Sequence, residues 1–418
     1  MPTATLRDTV ERTAWRVRLP TRRFFLVLAL VSAGALLVAS AVGAWVTSRN
    51  AATISHARDQ GLGVVSAATE FRTNLAAADA AAAGTLIAGG LEAPEAREDY
   101  VTHLVDASSA LTRAGLVGTS DDAEDIEALA NGLVEYSGLV ETARANARLG
   151  YPVGAAYLDE ARTMARNELV PRADRLRREG ERRVARSANS VGGPVGSVAL
   201  LLFVATVLVL VAAAVLVAGR TRRALHPALL AATVAIVGAV VLVASGISRQ
   251  SGQLRAVAST EFDDYLAAND GASGVSDLRV TEISAVAARG SGVGLYQQFE
   301  DDAGALLATL ADRGAEGQEL RDAVESYRDV VVDQVEATDL GGDNQAAAAV
   351  TLDGESLTTY ERASSVAADD VAAANAAITR RFDKASDADI HPVVPLALGV
   401  GAAALAVAGI LGRGRRYR

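Results

Sequence analysis

The chain has no cysteine, which excludes disulfide staples, thiolate metal sites and cysteine nucleophiles in any compartment. Histidine is nearly as scarce: His56, His103, His226 and His391 stand far apart, so a histidine-built metal centre is not expected. Aromatic residues make up 4% of the chain, and Lys384 is its single lysine, so positive charge is almost all arginine. The motifs that announce catalysis are missing as well. There is no glycine-rich phosphate loop followed by Lys-Ser/Thr, no nucleophile elbow and no HExxH helix. Two acidic stretches look like ligand sets only at first sight. Asp387-Ala-Asp389-Ile-His391 reads as a polar linker, and Asp121-Asp122-Ala123-Glu124-Asp125 as a helix start without the spaced ligands and turn glycine of a calcium loop. The expectation is a protein that is not an enzyme, with no metal, no cofactor and no nucleic-acid partner.

What the chain has is hydrophobicity. Half of its 418 residues are hydrophobic although the net charge is −10, and mean hydropathy is +0.21. The excess sits in four uncharged blocks, 24–46, 195–218, 228–247 and 393–412. Each has the ~20 residues needed to cross a hydrocarbon core of about 30 Å. The remaining pieces alternate in charge. The N-tail 1–23 (+4), the connector 219–227 (+3) and the tail 413–418 (+4) are arginine-rich. Four crossings place all three on one side, which the excess of arginine makes the cytoplasmic side. Segments 47–194 (−5) and 248–392 (−16) then lie outside. Trp45 falls at the outer interface of the first span, a usual place for an amphipathic ring. Ala39-Ser40-Ala41 resembles a signal-peptide cleavage site, but the preceding apolar run is too long for a typical leader, so an uncleaved anchor is expected.

The order span, outer segment, span therefore occurs twice. Tyr136 precedes Gly150 by the same interval at which Tyr327 precedes Gly341, and an apolar pair and an Ala pair follow at similar offsets. Upstream, Phe71-Arg72 matches Leu278-Arg279. Ala, Leu, Glu and Arg dominate both outer segments, which predicts helices. Gly89-Gly90, Pro94, Gly115, Thr119–Glu124 and Gly150 punctuate the first segment into four, with the last helix running from about Pro152 into the second span. Gly314 and Gly341-Gly342 break the second segment. Ile126, Leu129, Leu133, Tyr136, Leu139, Val140 and Ala143 recur at helical spacing. The predicted fold is all-α, with four transmembrane helices and two extracytoplasmic antiparallel four-helix bundles.

The spans carry no ionisable residue, which argues against a pump or coupled transporter. Small residues four apart (Ala35, Ala39, Gly43 and Ala231, Ala235, Ala239) suit close helix packing, although chance explains them about as well in so Ala-rich a chain. The cytoplasmic pieces are too short to fold into a kinase, a cyclase or a chemoreceptor hairpin, so a receptor of this design passes its signal to a separate protein. Leu6, Val10, Ala14 and Val17 share a helical face beside Arg12, Trp15 and Arg16. That pattern suits the anionic inner leaflet, the lipid bilayer being the first partner, and partner docking is the sharper reading. Arg220, Arg222 and Arg223 in the connector are the other docking candidates.

The four spans, the Tyr136/Gly150 and Tyr327/Gly341 pairs and the small arginine-rich cytoplasmic pieces together resemble the GlnX-type family of actinobacterial membrane proteins. The resemblance implies signal transfer from an extracytoplasmic amino-acid-binding lipoprotein to a cytoplasmic Ser/Thr kinase, at the cell membrane and with both termini inside. Each outer segment is also similar to the four-helix sensor bundle of chemoreceptors, which implies ligand-carboxylate binding by arginines on the first helix; the matching positions are Arg72 and Arg279. An accessory or scaffold subunit of an envelope transporter or cell-wall complex is the alternative, and self-association into a homo-oligomer stays open.

Overall fold

The computed structural model describes residues 21–87, 94–151, 153–191, 194–221, 227–388 and 390–414. Among them the protein is all-helical, with no strand. Its helices divide between two compact units. One gathers residues 1–52, 190–250 and 388–418, the other 53–189 and 251–387.

The first unit is built from α1 (Thr21–His56), α7 (Pro194–Thr221), α8 (Pro227–Ala256) and α15 (Val393–Gly414). Four segments are long and apolar enough to cross a membrane, and they start at Arg23, Val198, Pro227 and Val393. Leu30, Leu201, Val234 and Val241 face outward on these helices. An apolar exterior of this kind is costly in water and stable in lipid, as expected of a multi-pass membrane protein. The interior is mostly of small and medium residues, Leu36, Ala39, Leu210, Ala232, Ile236, Ala402 and Ala406, with the rings of Phe25 and Phe203 among them. Gly43 lets the ring of Phe203 and Pro395 approach closely, since an added Cβ would lie 3.2 Å from Phe203. Of the small residues read from the sequence, Ala39, Gly43 and Ala239 are buried, whereas Ala231 faces outward. The inward face of α8 consists of Ala232, Ile236 and Ala239, so Ala239 alone of the three expected residues is buried.

In the second unit, residues 53–189 form a π-helical turn (Ala57–Leu62), α2 (Gly63–Ile87), α3 (Pro94–Val117), α4 (Ala123–Arg148), α5 (Val153–Met164), a second π turn (Ala165–Leu169) and α6 (Val170–Ser190). Residues 251–387 form a third π turn (Val257–Glu261), α9 (Phe262–Ala287), α10 (Val293–Asp312), α11 (Gln318–Val330), a fourth π turn (Val331–Glu336), α12 (Ala337–Leu340), α13 (Asn344–Asp353) and α14 (Glu355–Asp387). Each half has its own apolar core, around Phe71, Tyr136 and Leu176 in one and Phe299, Tyr327 and Val331 in the other. The halves are nonetheless joined, because α2 and α9 pack against each other. Their small residues permit this, and α9 is buried on almost every side.

Glycine punctuation sets most boundaries. Gly150, Gly314 and Gly342 adopt positive φ (72°, 62° and 93°), the left-handed conformation that closes a helix. Gly115 does not end α3, which continues to Val117, and the turn is completed at Gly118, whose N–H donates to the Ala114 carbonyl (2.7 Å). Asp122 accepts from the backbone N–H and hydroxyl of Thr119, while Glu124 and Asp125 occupy the first turn of α4. The helix expected to run from Pro152 into the second span is instead interrupted, α6 ending at Ser190 and α7 starting at Pro194. Proline disfavours helical geometry in the residue before it and suits a first helical position. The break expected at Gly89-Gly90 lies outside the described residues.

Candidate functional site

Each half of the second unit buries a tyrosine against a carboxylate on its own first helix. In residues 53–189, Tyr136 on α4 donates to Asp79 Oδ1 on α2 (3.1 Å). Arg162 Nε on α5 lies 3.2 Å from Asp79 Oδ2. Its Nη1 reaches the other half, donating to Ser284 Oγ on α9 (3.0 Å). In residues 251–387, Tyr327 on α11 donates to Glu282 Oε2 on α9 (2.5 Å). Ser356 donates to Glu282 Oε1 (2.6 Å), and Arg279 Nη1 to Glu282 Oε2 (2.7 Å). Arg279 Nη2 donates to the Thr351 carbonyl (2.6 Å), and the guanidinium stands 5.0 Å from the Tyr360 ring centroid.

Burial governs the protonation behaviour of these groups. It pushes the Asp79 carboxyl above the ordinary value, with Arg162 and the Tyr136 hydrogen bond pulling the other way. Tyr136 and Tyr327 rise well above the usual phenol range, first through burial and then through the adjacent carboxylates. Burial opposes the charge on Arg279, but Glu282 together with Tyr327 and Tyr360 more than offsets it and the guanidinium is held charged. Both networks are therefore buried donor–acceptor sets that link helices distant in sequence.

Between the halves lies a cleft of about 490 Å³. Arg72, Asp79, Arg162 and Arg166 line it from one side, Asp270, Ser273, Asp277 and Asp302 from the other. Arg72 pairs with Asp270 and lies 3.6 Å from Asp174. Asp277 sits on a water-accessible wall of this cleft, and its carboxyl is pushed up to about 6 by the surrounding protein and by Asp79, against Arg72 and Arg166.

Of the two arginines matched in the sequence, Arg72 lines this cleft. Arg279 does not; it is committed to the Glu282 network and borders a second groove, of about 420 Å³, beside His103 and Tyr360. The two residues are not brought together, nor do they occupy equivalent places. Asp79, Arg162 and Glu282 were missed by the sequence reading. Asp79 carried one signal, isolation, being the one charged residue between Arg72 and Glu92; Arg162 and Glu282, with Glu160 and Arg279 close by in sequence, carried none. The proposed docking residues Arg12, Trp15, Arg16, Arg222 and Arg223 lie outside the described residues, while Arg220 falls in the last turn of α7. His391 acts as a helix-start acceptor, its Nδ1 lying 3.4 Å from the Val393 N–H. No cluster of His, Asp and Glu suited to a metal ion occurs among the described residues.

Residues 53–189 match the family model of an actinobacterial sensor domain. That stretch coincides with the first chain segment of the second unit. No curated protein and no solved structure matches the chain. The similarity supports a sensing or signalling role, carried by the half that holds Tyr136, Asp79 and Arg162.

Proposed function

We propose that the protein is a non-catalytic transmembrane signal transducer, with the second unit outside the cell as an input module and the first unit as the membrane relay. The observation that carries this reading is the sensor-domain similarity of residues 53–189 in a chain with four helices long and apolar enough to cross a membrane among the described residues. Each outer segment is read as an antiparallel four-helix bundle and the pair as an internal duplication, in line with the two Tyr–carboxylate networks. The arginine-rich pieces face the cytoplasm by the positive-inside rule.

The chain passes between the units four times, near residues 52, 189, 250 and 387. At two of these places the backbone is helical throughout, within α1 (Thr21–His56) and α8 (Pro227–Ala256). A displacement of α2 or α9 thus has a covalent helical route to the first and third spans. A signal requires two packings with different affinity for the input. The input is extracytoplasmic amino-acid availability, delivered through a solute-binding lipoprotein, and the receiver is a cytoplasmic Ser/Thr kinase docking on Arg12, Trp15, Arg16, Arg220, Arg222 and Arg223.

Replacement of Arg220, Arg222 and Arg223 by Gln tests the output end. Pulldown of the kinase from membranes is expected to fall at least about tenfold, a loss of some 1.4 kcal/mol. Undiminished recovery, with correct insertion verified, contradicts the docking role; recovery of a permease or synthase in its place supports a scaffold.

A further inference from the structure

We infer that the cleft between the two halves is itself a binding site for a small amphoteric ligand, one that carries a carboxylate-type oxoanion and an ammonium group. The inference deepens the input side of the transducer reading, and binding can be tested without assuming the relay.

The donors come first. Arg162 is 8% exposed and lines the cleft. Its Nε faces Asp79 and its Nη1 is engaged by Ser284, but its buried Nη2 has no hydrogen-bond partner among the described residues. Ser273 Oγ, on the opposite wall, and Arg72 Nε are buried and unpartnered in the same way. Buried polar groups are almost always satisfied in folded proteins, and a charged donor left without an acceptor is costly. Three such atoms around one cleft fit an oxoanion received from both walls.

The carboxylates point to the other end of the ligand. Asp79 and Asp270 are matched by Arg162 and Arg72. Asp277 and Asp302 line the cleft and form no ion pair among the described residues; Asp302 meets only Gln298 Nε2, at 3.5 Å. Arg166 supplies the remaining positive charge. A simple anion would face four carboxylates here, and a simple cation three guanidiniums. A molecule with both charges has a partner for each.

Size and backbone agree. The volume of about 490 Å³ is that of a small-ligand site. Ala165 and Arg166 on its wall belong to the π turn Ala165–Leu169, a distortion frequent at functional sites. Because α2 and α5 form one wall and α9 and α10 the other, an occupant would bridge the halves.

The test is calorimetry on the full chain in nanodiscs, with the twenty standard α-amino acids as probes, followed by the matching carboxylic acid and the matching amine of any that bind. At least one amino acid is expected to bind, and its acid and amine at least about tenfold more weakly. Asp277→Asn and Arg166→Gln, both at water-accessible positions, are expected to weaken binding about tenfold without lowering the melting temperature. No heat with any probe, an acid or amine binding as tightly as the amino acid, or wild-type affinity in both variants overturns the inference. Spin labels at Thr21→Cys and Thr221→Cys, measured in the same samples, separate the two readings. Heat without a change in label distance keeps the cleft and contradicts the relay; no heat removes the cleft and leaves the lipoprotein route, judged by the kinase pulldown.

Discussion

Replacing Glu282 with Gln probes the buried network most sharply. Glu282 is fully buried and accepts from Tyr327, Ser356 and Arg279 at 2.5, 2.6 and 2.7 Å. Glutamine keeps the shape and one acceptor oxygen but removes the charge. Arg279, 4% exposed, is then left with the Ser356 hydroxyl, the Thr351 carbonyl and the Tyr360 ring. Removing one partner of a buried ion pair costs about 3–5 kcal/mol. Weakening of the Tyr327 hydrogen bond falls inside that figure, because both act on the same carboxylate. At ~2–4 °C per kcal/mol for a domain of roughly this size, the melting temperature should fall by about 6–20 °C. Tyr327→Phe deletes one hydrogen bond to a charged acceptor and leaves the ion pair, so it should cost only about 1.5–3 kcal/mol. The assay is thermal melting of the helical circular-dichroism signal of the full chain in detergent. A Glu282→Gln transition within about 3 °C of wild type, or a Tyr327→Phe variant less stable than Glu282→Gln, would refute the reasoning.

Asp277 predicts a pH dependence. Its folded value near 6 lies above the ordinary carboxylate value, so the folded chain holds a proton that the unfolded chain has lost. Stability is then greater at low pH and declines as pH rises from about 4 through about 6. Asp79 and Glu336 act in the same direction, and His103, whose value is lowered by burial, in the opposite one. Comparison with Asp277→Asn cancels these: raising pH from about 4.5 to about 7 should destabilise wild type relative to the variant, and parallel curves would contradict it. Gly180→Ala tests the contact of α6 with the first π turn. The new Cβ would stand 2.9 Å from the Gly61 carbonyl oxygen and 2.7 Å from Val65, so backbone must move, at about 1–3 kcal/mol. An unchanged melting temperature in that variant would mean the two segments are not held together.

How much of this was legible in the sequence depends on contrast. The apolar blocks stood out because no charge interrupts them, and the face of α4 because its apolar residues recur at helical spacing; of the seven, Leu129, Leu133, Tyr136, Val140 and Ala143 are buried and Ile126 and Leu139 half-buried. Gly150 and Gly314 were readable because few other residues adopt the conformation they close with. The union of the two halves was not. In α2 and α9, runs such as Leu75–Ala83 lack a polar face, so periodicity cannot tell a helix packed within one bundle from one that also contacts a second. The boundary before Pro194 was hidden because helix-forming residues flank it on both sides. Local similarity matched Arg72 with Arg279 but carried no sign of their different surroundings, because the partners that define these, Asp270 for Arg72 and Thr351 and Ser356 for Arg279, are distant in sequence. The π turns left no pattern in composition.

The central claim is that residues 53–189 and 251–387 both lie outside the cell and the arginine-rich pieces inside. Because the natural chain has no cysteine, a single introduced cysteine reports its own side of the membrane. Ser120→Cys and Thr309→Cys occupy exposed positions in the two halves, and Arg223→Cys and Arg415→Cys mark the connector and the tail. A membrane-impermeant maleimide applied to intact cells should label the first two directly and the last two only after permeabilisation. Labelling of Ser120→Cys and Thr309→Cys from opposite sides, or of Arg223→Cys in intact cells, would contradict the account.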